Sequence, residues 1–152
     1  MTKDSEWITR EGDIVLRKEI HALYGGGLLR GIRPSTTSPN VLLFTEERPA
    51  KEQGHSHEGW DISKPRVFYF TGEGKDGDQQ MTGGNLAGLE HAANATTLRL
   101  FQAWNRGPQA GGQKHRYLGA FVVDTEAPFR HEIAVDKQGN ERKVIVFTLI
   151  RQ

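Results

Sequence analysis

Six short runs of β-branched and aromatic residues, each bounded by turn formers, set the terms for any fold this chain can adopt. Val41–Thr45 and Val67–Thr71 are the plainest. Thr97–Trp104 alternates, with Leu98, Leu100 and Gln102 sharing a face, and Arg116–Asp124 and Arg142–Ile150 read likewise. Asp13–Ile20 places Ile14, Leu16 and Ile20 on one strand face, interrupted at Lys18. Asp136–Asn140 is a turn between strands. One helix is expected from about Thr82 to Asn94, where Leu86, Leu89 and Ala93 recur at helical spacing. This pattern, with 18 glycines in 152 residues, predicts a single domain over 1–152. Its fold class is mainly β (α+β): a curved β-barrel with one or two helices rather than a doubly wound sheet.

Composition narrows the class further. Hydrophobic residues make up 36% of the chain and charged residues 26%, a globular balance rather than a disordered one. No stretch approaches the roughly 20 apolar residues that span a bilayer, and Met1–Trp7 lacks the apolar segment of a secretory signal. The absence of cysteine excludes disulfides, thiolate metal sites and a cysteine nucleophile. A cytoplasmic, nucleoid-associated location without membrane partners is the expectation.

The net charge of +1 argues at first against a polyanion ligand. The charges are segregated, however. Ile20–Thr45 contains no acid but holds Arg30 and Arg33, and His91–Val123 contains none but holds Arg99, Arg106, Lys114 and Arg116. Between these windows lie Glu46, Glu47, Glu52, Glu58, Asp61, Glu73, Asp76 and Asp78. A near-neutral chain arranged this way can still present a positive face.

Chemistry-bearing groups collect in three loops. Tyr24–Ser35 is glycine-rich and basic. In Gly54–Asp61, residues His55, His57, Glu58 and Asp61 suit a hard divalent metal, although their spacing is not the helical His-x-x-x-His of metalloproteases. Gly72–Asp78 resembles a phosphate loop only superficially, because no Gly-Lys-Ser/Thr follows and its acids would repel phosphates. It also fails the acid spacing of a calcium loop. Glu73 and Asp78 are open to a carboxylate-dyad reading, while Trp60, Phe68, Tyr69 and Phe70 supply flat side chains beside small and acidic residues. That is the inventory of a pocket for a flipped nucleobase, although strand alternation requires one face of Val67–Thr71 to fill the core.

Phe70-Thr-Gly-Glu-Gly74, then Gly77-Asp-Gln-Gln-Met81, then Gly84-Asn-Leu-Ala87, resembles a succession of motifs in the SRA (SET and RING associated, or YDG) domain. Gly31-Ile-Arg-Pro-Ser35 and Val41–Phe44 are similar to that family's upstream segment. The likeness runs from about Arg17 to Asp124 and is closest to bacterial SRA-like domains found with McrA-like HNH restriction endonucleases. It implies a crescent-shaped barrel that binds duplex DNA, flips 5-methylcytosine into a pocket and leaves cleavage to a separate nuclease, with no cofactor and no catalytic step of its own. Carried over by position, it implies Trp60 and Phe70 as stacking walls, Thr71 and Gly72 on the base edge, and Asp61 or Glu58 as acceptor of the cytosine N4 amine. Such an acceptor selects cytosine over thymine, whose O4 would repel it. The methyl group adds about 1 kcal/mol, hence discrimination of about tenfold.

The resemblance also implies an absence. The vertebrate type carries a long finger between its Gly-Gly and Asp-Gln motifs; here only Lys75-Asp76 stands between Gly74 and Gly77. Weak dependence on sequence context follows, with little discrimination of hemimethylated from fully methylated sites. Tyr24, Leu28, Leu29 and Arg30 are then the minor-groove loop that fills the gap left by the base. Arg30, Arg33, Lys75, Arg99, Lys114 and Arg116 are the candidate phosphate contacts. Two alternatives stand beside this reading: a metal-dependent nuclease or hydrolase built on His55, His57, Glu58 and Asp61, and a reader of 5-hydroxymethylcytosine or an RNA base.

Overall fold

The computed structural model describes residues 7–26, 31–45, 58–74, 77–104, 113–136 and 138–152. The element order is β1 Ile14–Leu16, α1 Arg17–Tyr24, β2 Ile32–Pro34, β3 Asn40–Thr45, β4 Gly59–Trp60, β5 Val67–Thr71, α2 Gly83–Leu89, β6 Thr97–Ala103, β7 Lys114–Val123, β8 Phe129–Val135 and β9 Glu141–Arg151. Among the described residues the strands form one nine-stranded sheet ordered β2-β3-β6-β7-β9-β5-β4, with β1 on β7 and β8 on β9. The pairings are antiparallel except β3 with β6, where Val41 stands beside Leu98 and Thr45 beside Gln102. The expected mainly β fold with one or two helices is what the chain adopts, with two helices among the described residues.

The sheet curls until its two ends share a core. Ile32, Val41 and Leu43 from the β2–β3 end pack in one cluster with Phe68 and Phe70 from β5, around Leu100, Phe121, Ile145 and Phe147. The opposite faces of β3 and β6 supply Leu42, Phe44 and Phe101 to a second cluster, closed by Ile20 and Tyr24 of α1 and by Tyr117. β3 is thus buried on both faces, and its run Asn-Val-Leu-Leu-Phe-Thr is correspondingly apolar through its centre.

Two elements differ from the sequence-based expectation. Asp13–Ile20 is a strand only as far as Leu16, after which the chain turns into α1. Helical spacing brings Ile20 and Tyr24 onto one face, both buried, and leaves Lys18 outside, which strand alternation would have turned inward. The Glu19 carboxylate accepts the Leu16 N–H at the helix start, and Gly25 closes the helix with φ 86°. The second helix ends at Leu89 rather than near Asn94. Glycines at 83, 84 and 88 weaken its propensity, and buried His91 stops the chain by pairing with Thr96 and accepting the Val123 N–H at 3.2 Å. No helix among the described residues is long and apolar enough to cross a membrane.

Candidate nucleic-acid interface

β4 is two residues long, so β5 becomes a free edge beyond Tyr69 and the Thr71 N–H has no strand partner on that side. Glu58 fills the vacancy. Its Oε1 accepts the Thr71 N–H at 2.9 Å, and its Oε2 accepts the Thr45 hydroxyl at 2.5 Å. Thr45 ends β3, so this carboxylate is also the stitch where the two ends of the curled sheet meet. Beside it the Thr71 hydroxyl is buried with no hydrogen-bond partner among the described residues. A carboxyl acceptor and a hydroxyl with no partner among the described residues therefore stand together at one end of β5.

The glycine-rich segment after Thr71 is held by two buried amides. Gln79 donates to the Gly72 carbonyl at 2.8 Å and accepts the Ile145 N–H at 2.8 Å. Asn85 accepts the Glu73 N–H at 2.8 Å and donates to the carbonyls of Glu73 and Gln80. Gly72 has to be glycine for packing: a Cβ there would lie 2.7 Å from Asn85 Oδ1. Arg142 of β9 donates one Nη1 to both the Gly74 and Gly77 carbonyls, at 2.6 and 3.2 Å. The same guanidinium nitrogen thus holds both ends of the segment that contains Lys75. Thr45, Gln79, Asn85 and Arg142 were not among the sequence-predicted site residues; the Gly77-Asp-Gln and Gly84-Asn motifs were the available signal for two of them.

Asp61 and Glu58 do not converge. The Asp61 carboxylate accepts the Tyr69 hydroxyl at 2.5 Å and the Ser63 and Lys64 N–H groups at 2.8 and 2.9 Å. The Tyr69 bond above all, with Ser63 next, holds this carboxyl well below the usual carboxylate range and raises the Tyr69 phenol. Asp61 organises the β4–β5 turn, and Glu58 is the acid beside Thr71 and Gly72. Trp60 is 40% exposed; it meets Phe68 edge-on at 5.2 Å, with Arg151 5.7 Å from its ring centre.

Phe70 is corrected as an open stacking wall: it is 2% exposed. Phe68 and Phe70 alternate onto the inner face, and the Phe70 ring lines a water-sized apolar void with Ile32, Leu43 and Phe147. Tyr24 is corrected as well. It is buried against Trp7 at 3.8 Å, and its hydroxyl takes the Ile8 and Thr9 N–H groups at 3.2 and 3.1 Å. Arg99 is half-buried and engaged, donating to Asn40 and to the Tyr117 hydroxyl while lying 4.2 Å from the Trp7 ring centre. That network makes it a structural cation rather than a phosphate contact.

Lys114 and Arg116 are exposed on β7, next to exposed Trp104, and Arg33 is half-buried on β2. Leu28, Leu29, Arg30 and Lys75, like His55 and His57, lie outside the described residues. Among the described residues no three His, Asp or Glu side chains group as a metal site. Arg17, His21 and His115 were not predicted as site residues; the structure gathers them about Phe44.

The sequence model of the ScoMcrA-like SRA domain family matches residues 11–151. No curated protein sequence matches the chain. Among solved structures, the sulfur binding domain and SRA domain of ScoMcrA complexed with phosphorothioated DNA is 20% identical, with a TM-score of 0.70; the match covers 95% of this chain and 40% of that one. The Type IV phosphorothioation-dependent restriction endonuclease ScoMcrA matches with a TM-score of 0.68 at 20% identity, over 95% of this chain and 26% of that one. The SUVH5 SRA complex with fully methylated CG DNA is 20% identical with a TM-score of 0.57, covering 93% of this chain and 88% of that one. The chain thus spans well under half of the ScoMcrA chains that it resembles.

Proposed function

The chain belongs to the ScoMcrA-like SRA domain family, and from that premise we propose that it binds double-stranded DNA containing 5-methylcytosine and flips the modified base out of the duplex. Relatives of this fold are found in complex with phosphorothioated and with fully methylated DNA. The observation that carries the base-reading half of the proposal is the Glu58–Thr71 pair. The Glu58 carboxylate accepts from the cytosine N4 amine, and the uncommitted Thr71 hydroxyl donates to the ring acceptor beside it. Thymine presents the opposite pattern, an O4 acceptor, and is refused. Trp60, two residues along the chain from Glu58, supplies an aromatic surface for the extruded nucleotide.

Backbone charge supplies most of the affinity, with Arg33, Lys114 and Arg116 facing phosphates. The domain performs no chemistry, and cleavage falls to a separate nuclease in the cytoplasm. The test is a competition series on duplexes that differ at one cytosine only, unmodified, 5-methyl and 5-hydroxymethyl, with a fluorescent base analogue beside the target. The methylated duplex is expected to compete best, and the analogue to brighten as its neighbour leaves the stack. Equal binding of methylated and unmodified duplexes at physiological salt, or an unchanged analogue signal, refutes the reading. A preference for the hydroxymethylated duplex reassigns the ligand, and cleavage with added divalent ions would restore the nuclease alternative.

A further inference from the structure

Thr45, whose hydroxyl donates to Glu58, stands beside Gln102 of β6, and Gln102 stands beside Arg116 of β7. Partners in register share a sheet face. Val41 with Leu98 and Leu43 with Leu100 enter one core cluster, while Phe44 with Phe101 enters the other. Thr45 and Gln102 therefore lie on the Leu43–Leu100 side. Trp104 follows Gln102 by two residues and keeps the pairing, its N–H donating to the Lys114 carbonyl at 2.9 Å. The Arg116 guanidinium lies 5.9 Å from the centre of the Trp104 ring, so both side chains stand on this one side of the sheet.

A β-bulge creates the arrangement. Leu100 is opposite Gly119 but Phe101 is opposite Tyr117, which makes Leu118 the extra residue of β7. On one side of the shift Phe121 joins Leu98 and Leu100 in their cluster; on the other Tyr117 joins Phe101 in the second. An unbroken register would set Ala103 opposite Arg116 and turn that guanidinium towards α1. With the bulge, Arg116 and Lys114 are exposed, Trp104 is 44% exposed, and all three occupy the end of the sheet that carries Thr45 and Glu58. Ile14, opposite Arg116 on β1, is exposed as well. The acids that flank β1 in the chain, Asp13 and Glu19, accept the backbone N–H groups of Arg10 and Leu16.

We infer that Trp104 and Arg116 form a second nucleotide contact and, resting on the DNA-binding reading above, that its occupant is the strand flanking the extruded base. The indole packs on a deoxyribose of that strand, and the guanidinium pairs with the adjoining phosphate. Two strand spacings, about 10 Å, separate Arg116 from Thr45, which is about three steps along a duplex strand at 3.4 Å each. Contacts to sugar and phosphate position a duplex without reading its sequence. The subsite thus holds the strand beside Glu58 and adds no preference for particular neighbours.

The full chain is titrated with methylated and unmodified duplexes while iodide quenching of tryptophan emission is followed. Its three tryptophans are separated by comparison with Trp104→Phe, and saturating duplex is expected to shield the Trp104 signal. Trp104→Ala, confirmed as folded by its Tm, is expected to weaken both duplexes by the same factor, about threefold to tenfold. Its salt slope stays at the wild-type value because no charge is lost, whereas Arg116→Gln lowers the slope by about one. A propyl spacer lacking the sugar ring is then walked through the three nucleotides on each side of the target. One position is expected at which the spacer weakens wild type but not Trp104→Ala. A Trp104 signal left open to iodide by saturating duplex, a folded Trp104→Ala protein with wild-type affinity, or the absence of any such spacer position overturns the subsite. Equal binding of methylated and unmodified duplexes by wild type, with Trp104 shielded, counts against base reading and leaves this contact standing.

Discussion

The Glu58 carboxylate accepts the Thr71 backbone N–H at 2.9 Å, thirteen residues further along the chain. This bond fixes which acid faces the end of β5, and it makes the two acids of the β4 segment experimentally separable. Glu58→Gln places an amide donor against the cytosine amine. It is expected to lower affinity for methylated duplex by up to about tenfold, the whole of the expected methyl preference, while binding to unmodified duplex changes little. Asp61→Asn is expected to leave the methylated-duplex affinity within about threefold, since its partners are Tyr69 and the turn N–H groups. Fluorescence anisotropy on both duplexes decides between the two acids, and equal losses would sink the assignment to Glu58.

Arg142 holds both ends of the segment between Gly74 and Gly77, and only two residues separate those ends. A loop this short does not reach across a duplex to the neighbouring pair. Affinities for 5-methylcytosine followed by guanine, adenine, thymine or cytosine are therefore expected to agree within about threefold, where a directly read base pair typically shifts binding by about 1–3 kcal/mol. A spread above tenfold in a competition series would show that another element reads the context.

Tyr24→Phe tests the placement of that ring in the core. The substitution removes an acceptor for the Ile8 and Thr9 N–H groups and a 2.7 Å bond with the Thr9 hydroxyl. A loss of about 1–3 kcal/mol is expected, lowering Tm by about 2–4 °C per kcal/mol, with duplex affinity measured on the folded protein unchanged. An unaltered Tm with weakened DNA binding would return Tyr24 to the interface.

His115 makes stability depend on pH. Its folded pKa is pushed down to about 4 by burial and neighbouring cations, so between that value and the ordinary histidine value of about 6.5 the unfolded chain binds more protons. Stability therefore rises with pH across this window and is lost as pH falls from about 6.5 towards 4. Burial drives His21 the same way. The expected change is on the order of 3 kcal/mol, followed by urea unfolding in phosphate-free buffer. In His115→Gln the slope over this window should flatten; an unchanged slope would place the proton uptake elsewhere.

Local rules decided much of this protein from the sequence alone. Strand runs at Val41–Thr45, Val67–Thr71, Thr97–Trp104, Arg116–Asp124 and Arg142–Ile150 follow from side-chain alternation and turn chemistry, and the spaced glycine motifs point to the family. The same rules established that Phe68 and Phe70 share a face, because the period of a strand is two, but left open which face is inside. Burial beneath the curled sheet settled that, turning both rings inward. Closure of the sheet also put Thr45 beside Glu58 and brought Arg17, His21 and His115 around the ring of Phe44. Contacts between chain segments far apart in sequence leave no periodic trace in either segment, so only the tertiary structure could set Glu58 against Thr71 and Thr45, turn Asp61 to Tyr69, and bring Arg17 to the Phe44 ring.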